Sequence, residues 1–169
     1  MKKIGLLSDT HGEIDEKIFH HFKDVDEIWH AGDVGDISVL HKLQNFKPLR
    51  GVYGNIDTQE IRNELPLFDT FDCEGMKVLI THIAGRPNKY TKNAYHLIKT
   101  HQPQLFICGH SHILLVQKDT HLNLLWLNPG ACGNKGFHKI KTLLRFEIDK
   151  GMIQNLEAIE IGYRNAVSL

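Results

Sequence analysis

Five short polar clusters follow one another along the chain, each directly behind an apolar run: Asp9-Thr10-His11, Gly32-Asp33, Gly54-Asn55, Thr81-His82 and Gly109-His110-Ser111-His112. Carboxylate, amide and imidazole groups are the side chains that bind borderline divalent metals. Two such metals about 3.5 to 4 Å apart can generate a nucleophile from water and clamp phosphoryl oxygens. Placed at strand ends that share one rim of a sheet, Asp9, His11, Asp33, Asn55, His82, His110 and His112 would offer seven oxygen and nitrogen donors to a metal pair. The chemistry they point to is metal-assisted hydrolysis.

Taken singly, most of these clusters have a plainer explanation. Asp9 or Thr10 would serve as a helix N-cap, Gly32-Asp33 and Gly54-Asn55 as turns, and His82 as a hydrogen-bonded strand-end histidine. Gly109-His110-Ser111-His112 is the sharpest, because two imidazoles directly behind the apolar run 105–108 suit a metal better than a core. The shared position of all five clusters behind apolar runs favours ligation. The chain has 12 histidines, so others fall by chance; His20, His21, His41, His96, His101 and His121 read as solvated or packing residues. His30, beside Asp33, either supports a ligand or is simply buried and hydrogen-bonded.

The elements that would position these residues are legible as apolar periodicity. Runs at 4–7, 27–29, 49–53, 78–81, 105–108, 122–127 and 143–148 read as strands. Ile14, Ile18 and Phe22, then Ile37, Leu40 and Leu43, then Tyr90, Ala94, Leu97 and Ile98 recur at helical spacing, so three helices are expected to face a sheet. Strand and helix alternate to about residue 53, which predicts a parallel α/β start with ligand-bearing loops at the carboxyl ends of the strands. The second half is richer in strand signals. Hairpins are expected about Cys73-Glu74-Gly75 and about residues 119–121.

Composition narrows the classes. The 169 residues fit one domain, 1–169, able to bury roughly two-thirds or more of its unfolded surface. Twenty basic and twenty acidic residues balance, which argues against strong nucleic-acid binding or attraction to an anionic membrane. The apolar stretch after Met1-Lys2-Lys3 is too short for a signal sequence, and no later segment reaches membrane-spanning length. Cys73, Cys108 and Cys132 are odd in number and lack paired metal-site spacing, so reduced thiols in a cytoplasmic protein are expected. Their apolar surroundings suit buried thiols rather than nucleophiles.

Together, Asp9-x-His11, Gly32-Asp33, Gly54-Asn55, His82 and Gly109-His110-x-His112 resemble the signature of the calcineurin-like metallophosphoesterase superfamily. The short chain, Gly54-Asn55-Ile56-Asp57 and Asn128-Pro129-Gly130 resemble its small bacterial and archaeal phosphodiesterase branch, which includes the small subunit of retromer. The resemblance implies an α/β (α+β) fold, a two-sheet β-sandwich flanked by helices in four α/β/β/α layers, with a dinuclear site at its edge. It assigns Asp9, His11 and His112 to one metal, Asn55, His82 and His110 to the other, and Asp33 to both. Asp33, Asn55 and His82 would act in catalysis through metal and phosphate positioning, with a metal-bound hydroxide attacking in line. Two divalent ions less two carboxylates and one hydroxide leave a single positive charge, which attracts a phosphate anion. Manganese is the first choice by resemblance, with zinc, iron, nickel and cobalt as alternatives.

Two departures bear on substrate. Many relatives carry a histidine after Gly-Asn that protonates the leaving oxygen, whereas Ile56 stands here. Small phosphodiesters with a good leaving group are therefore expected to outpace unactivated monoesters. After His82 the chain reads Ile83-Ala84-Gly85-Arg86, where relatives often place glycine at once. Arg86 is the weak candidate for substrate contact; Lys89, Asn134, Lys135 and His138 are equally open. Asn128-Pro129-Gly130 reads as a structural turn. The competing function is a non-catalytic interaction module on the same fold, for which a broad exposed apolar patch would speak. Ile56 and the short chain disfavour a protein phosphatase, and a homo-oligomer is compatible with the sequence.

Overall fold

Period-two burial organises the molecule, whose computed structural model describes residues 1–165. The strands are β1 (Lys2–Leu7), β2 (Glu27–His30), β3 (Leu49–Gly51), β4 (Phe68–Cys73), β5 (Met76–Thr81), β6 (Gly85–Arg86), β7 (Lys89–Tyr90), β8 (Leu105–Ile107), β9 (Leu114–Asp119), β10 (Leu124–Pro129), β11 (Ile140–Asp149) and β12 (Met152–Tyr163). The helices are α1 (Lys17–His21), α2 (Ile37–Phe46), α3 (Gln59–Glu64) and α4 (Lys92–His101). One sheet has the order β12-β11-β1-β2-β3 and the other β4-β5-β8-β10-β9; β6 and β7 form a small ribbon. Each large sheet contains three parallel strands, β1-β2-β3 and β5-β8-β10, extended by antiparallel neighbours.

Successive side chains of a strand point to opposite faces, and here both faces are covered. Ile4, Leu6 and Trp29 of the first sheet meet Val78, Ile80, Leu105, Ile107 and Leu127 of the second in the central core. Leu7 and Ile28, on the outer face, pack with Ile18 of α1, Leu40 and Leu43 of α2 and Ile61 of α3. Leu79, Phe106 and Trp126 pack outward against Ala94 and Ile98 of α4. Three cores between four layers result, the α/β/β/α sandwich expected. Helices α2 and α4 start where a side chain accepts a free N–H: Asp36 Oδ1 from Ser38 at 2.8 Å and Thr91 Oγ1 from Ala94 at 3.2 Å.

Several elements differ from the sequence reading. The Ile14-Ile18-Phe22 stripe yields only the five-residue α1, because Asp15 Oδ1 accepts the backbone N–H of Lys17 at 3.0 Å and starts the turn there. The third strand stops at Gly51, and α3 carries one buried apolar residue, Ile61, too few for a stripe. The longest strand, β12, was not anticipated. It lies on a sheet edge and its register with β11 shifts between Lys141 and Thr142 and between Arg145 and Glu147. Such irregularities break the alternation by which a strand is recognised.

Candidate metal centre

Parallel strands end on the same rim, so the loops behind them meet. Asp9 follows β1, Asp33 follows β2, Asn55 follows β3, His82 follows β5, and His110 and His112 follow β8. The sequence-predicted donors assemble into two neighbouring groups. Asp9, His11 and His112 each offer a ligand atom within 4.8 Å of the others, and so do Asp33, His82 and His110. Asn55 Oδ1 lies 3.0 Å from His110 Nδ1, beside the second group. Asp33 Oδ2 lies 3.2 Å from His82 Nε2 and 3.5 Å from His11 Nε2, between the groups.

Both aspartates are held by one oxygen and present the other. Asp9 Oδ2 accepts from Ser8 Oγ at 2.6 Å and His110 N at 3.1 Å, while Oδ1 faces His112 Nε2 at 3.2 Å and His11 Nε2 at 3.8 Å. Asp33 Oδ1 accepts from Ile56 N at 3.1 Å and leaves Oδ2 toward the histidines. His82 Nδ1 donates to the Ala31 carbonyl at 2.7 Å, so in the neutral ring Nε2 carries the lone pair. Asp9 Oδ1 and His82 Nε2 are buried without a hydrogen-bond partner. An orphaned buried polar atom costs about 1–3 kcal/mol, and a divalent cation between these donors would satisfy both. The residues present therefore fit a metal pair.

The local backbone is bent to make this fit. Asp9, His11, Asp33, His110 and His112 have φ between 51° and 70°, a left-handed region that non-glycine residues seldom occupy and that concentrates at functional sites. Gly32, with φ 101°, makes room for a ligand side chain: a Cβ there would overlap the His82 ring. Burial pushes the Asp9 carboxyl up, but the neighbouring His11 and His112 imidazoles, the charge of His82 and the Ser8 hydroxyl outweigh it and hold the group below the usual range. Asp33 is likewise held low by His82 and Ile56 N–H against the effect of burial. Both sites are thus anionic at neutral pH.

A second layer of contacts sets the loops. Asp57, quoted in the sequence only as part of a resemblance, is buried and accepts from Gly54 N at 2.7 Å, Val34 N at 3.1 Å and Gly35 N at 2.8 Å, tying the Asp33 loop to the Asn55 loop. Of the two readings of His30, burial with hydrogen bonds is found: Nδ1 accepts from Gly32 N at 3.1 Å, so Nε2–H donates to Thr10 Oγ1 at 3.0 Å, which donates to Val34 O at 2.8 Å. Asn128 donates to Gly109 O at 2.9 Å and Ser111 Oγ at 3.0 Å, a structural turn bracing the histidine loop. His138, left open in the sequence, lies 3.3 Å from His112 and joins the site. Arg86 stands exposed on β6 in a cleft with Lys89, Ser111, Ile113 and Trp126 and belongs to neither donor group. Burial pushes the Cys108 thiol up and Cys132 to about 12, so neither is a nucleophile at neutral pH.

A family model described as the calcineurin-like phosphoesterase superfamily domain matches residues 1–151. A probable metallophosphoesterase of Methanothermobacter thermautotrophicus is 32% identical over 133 residues, 76% of each chain. Among solved structures, an archaeal phosphodiesterase superimposes with a TM-score of 0.71 at 25% identity, covering 94% of this chain and 99% of its own. Vps29 of Entamoeba histolytica, solved with zinc, superimposes at 0.72 with 14% identity, covering 94% and 98%, a likeness of fold.

Proposed function

The chain belongs to the calcineurin-like phosphoesterase superfamily, and from that premise we propose that it is a metal-dependent phosphodiesterase acting on a small phosphodiester. The observation that carries this reading is Asp33 Oδ2 standing between two complete donor groups, 3.2 Å from His82 and 3.5 Å from His11. When bound, two divalent cations, manganese by first choice, lower the pKa of water toward about 7 and neutralise phosphoryl oxygens. Asp9, His11 and His112 would hold one cation and Asn55, His82 and His110 the other, with Asp33 a donor within reach of both. Asn55, His82 and Asp33 orient the phosphate between them, and no protein nucleophile is used.

The substrate class follows from what surrounds the site. Ile56, half-exposed at the rim, donates only its backbone N–H and supplies no acid, so the leaving oxygen departs as an anion. A cleft of about 430 Å³ opens beside Asn55 and His82, walled by Tyr53, Leu67, Ile83 and Leu97, with the Arg62 guanidinium 4.7 Å from the Tyr53 ring centre. It suits the organic arm of a diester. Among the described residues no helix is long and apolar enough to cross a membrane, and three buried free thiols suit the cytoplasm. A second reading, a protein-interaction module, draws on the Vps29 likeness and on exposed Ile113, Leu114, Val116 and Phe137 on and near edge strand β9. The decisive assay gives manganese-loaded protein bis(p-nitrophenyl) phosphate and p-nitrophenyl phosphate. Faster diester turnover that a chelator abolishes is expected; absence of turnover with manganese, zinc, iron, nickel and cobalt overturns the enzyme reading in favour of the module.

A further inference from the structure

Residues 133–138, between β10 and β11, close a ring of hydrogen bonds on one donor group only. Gly133 N donates to Asp9 O at 3.1 Å, and Gly133 O lies 2.8 Å from His138 Nε2. A carbonyl only accepts, so His138 Nε2 carries the proton and its Nδ1 holds a lone pair. That lone pair lies 3.3 Å from His112 Nδ1, the rings meeting edge to face at 72°. The pair is satisfied only when His112 Nδ1 carries the hydrogen, which leaves the His112 Nε2 lone pair toward Asp9 Oδ1 at 3.2 Å. The ring thus runs from the Asp9 backbone through Gly133, His138 and His112 back to the Asp9 carboxylate.

Two further features hold His138 in place. Arg164 Nε donates to the His138 carbonyl at 2.7 Å. Gly136, with φ 128°, lets the loop touch the His112 ring, where a Cβ would overlap Nδ1. The second group has a different support, the His82 Nδ1 bond to Ala31 O, which involves no residue of the 133–138 loop.

We propose that His138 is a positioning residue that fixes the tautomer and aim of His112 and so sets the affinity of the Asp9–His11–His112 site, leaving the Asp33–Asn55–His82–His110 site untouched. The inference rests on the reading that these groups hold divalent cations. Outer partners of ligating histidines typically change metal affinity by about 10–100-fold. The amide oxygen of asparagine takes the place of histidine Nδ1, whereas glutamine places its amide at Nε2. His138→Asn therefore keeps an acceptor for His112, and His138→Gln keeps only the contact with Gly133.

Calorimetric titration of the chelated full-length protein with manganese, and with zinc, tests this. The wild type is expected to fill two sites; His138→Ala and His138→Gln weaken one of them about 10–100-fold and leave the other unchanged, while His138→Asn restores it. The weakened site is the one that His11→Ala abolishes. Unchanged affinities in His138→Ala, equal weakening of both sites, or rescue by Gln instead of Asn overturns the proposal and leaves the enzyme reading standing. A wild type that binds neither metal overturns both. Should His138→Ala fail to fold, the Asn and Gln pair decides the matter alone.

Discussion

Asp33 Oδ2 and His82 Nε2 are 3.2 Å apart although Asp33 follows β2 of one sheet and His82 follows β5 of the other. The donor cluster is therefore a property of the sandwich, and docking of the two sheets through Trp29, Ile80 and Ile107 assembles it. Neither sheet alone carries a full set of ligands.

Asp33→Asn keeps shape and removes the shared charge. Both cation affinities are expected to fall, and diester turnover to drop by more than the about 100-fold typical of an outer partner. Calorimetry with a steady-state assay measures this; a variant retaining two sites and full turnover removes Asp33 from its bridging role.

Asp57→Ala leaves the amides of Gly54, Val34 and Gly35 without their buried acceptor. A loss of about 2–5 kcal/mol in unfolding free energy is expected, together with weaker binding of both cations as the two loops separate. Chemical denaturation of the chelated variant reads the first effect; a loss below about 0.5 kcal/mol would show that water replaces the carboxylate freely.

The contribution of His82 to the pH response should reverse with metal. Burial lowers the His82 pKa, but Asp33 and Asp9 outweigh it and the net shift is upward from 6.5. A raised folded pKa contributes stability that is complete below the unfolded value and lost as pH climbs through the folded one. Asp9 and Asp33, held low, contribute above about 3.8 and lose that contribution as pH falls through their folded values. His82 therefore contributes stability to the chelated protein that fades above neutrality, whereas burial holds His30 down to about 4 and lowers His21, His110 and His138, so their contribution is lost as pH falls below 6.5. Loaded protein gains stability over the same rise, because a cation requires His82 Nε2 without its proton. Melting temperatures across about pH 5 to about pH 9, with and without chelator, check this; parallel curves would contradict it.

Ile56→His restores an acid at the rim. Turnover of diesters with poor leaving groups should rise about 100-fold relative to aryl diesters, the lower end of general-acid effects, with a shallower dependence of rate on leaving-group pKa. An unaltered dependence would mean that position 56 does not reach the leaving oxygen.

Iodoacetamide should leave metal-loaded protein fully active, since burial keeps the Cys108 and Cys132 thiols protonated and inaccessible. Inactivation with labelling of either residue in the folded state would contradict the nucleophile-free reading.

The strands of the sandwich centre were readable because burial on both faces makes them continuous apolar runs: 4–7, 78–81 and 105–108 match β1, β5 and β8 to within two residues. Strand β12 was not, since an edge with an irregular register mixes its inward and outward residues. Helix α1 was overread because three isoleucine and phenylalanine positions fit a helical period that Asp15 interrupts.

Residue types and their order behind apolar runs were enough to name Asp9, His11, Asp33, Asn55, His82, His110 and His112, because side-chain chemistry and strand polarity are local properties. Which oxygen of each aspartate faces inward, how Asp57 joins two loops and why His138 belongs with His112, 26 residues earlier, were settled only by tertiary structure. Those relations are through-space hydrogen bonds between loops, and their geometry exists only after the two sheets have packed and set the backbone at each rim.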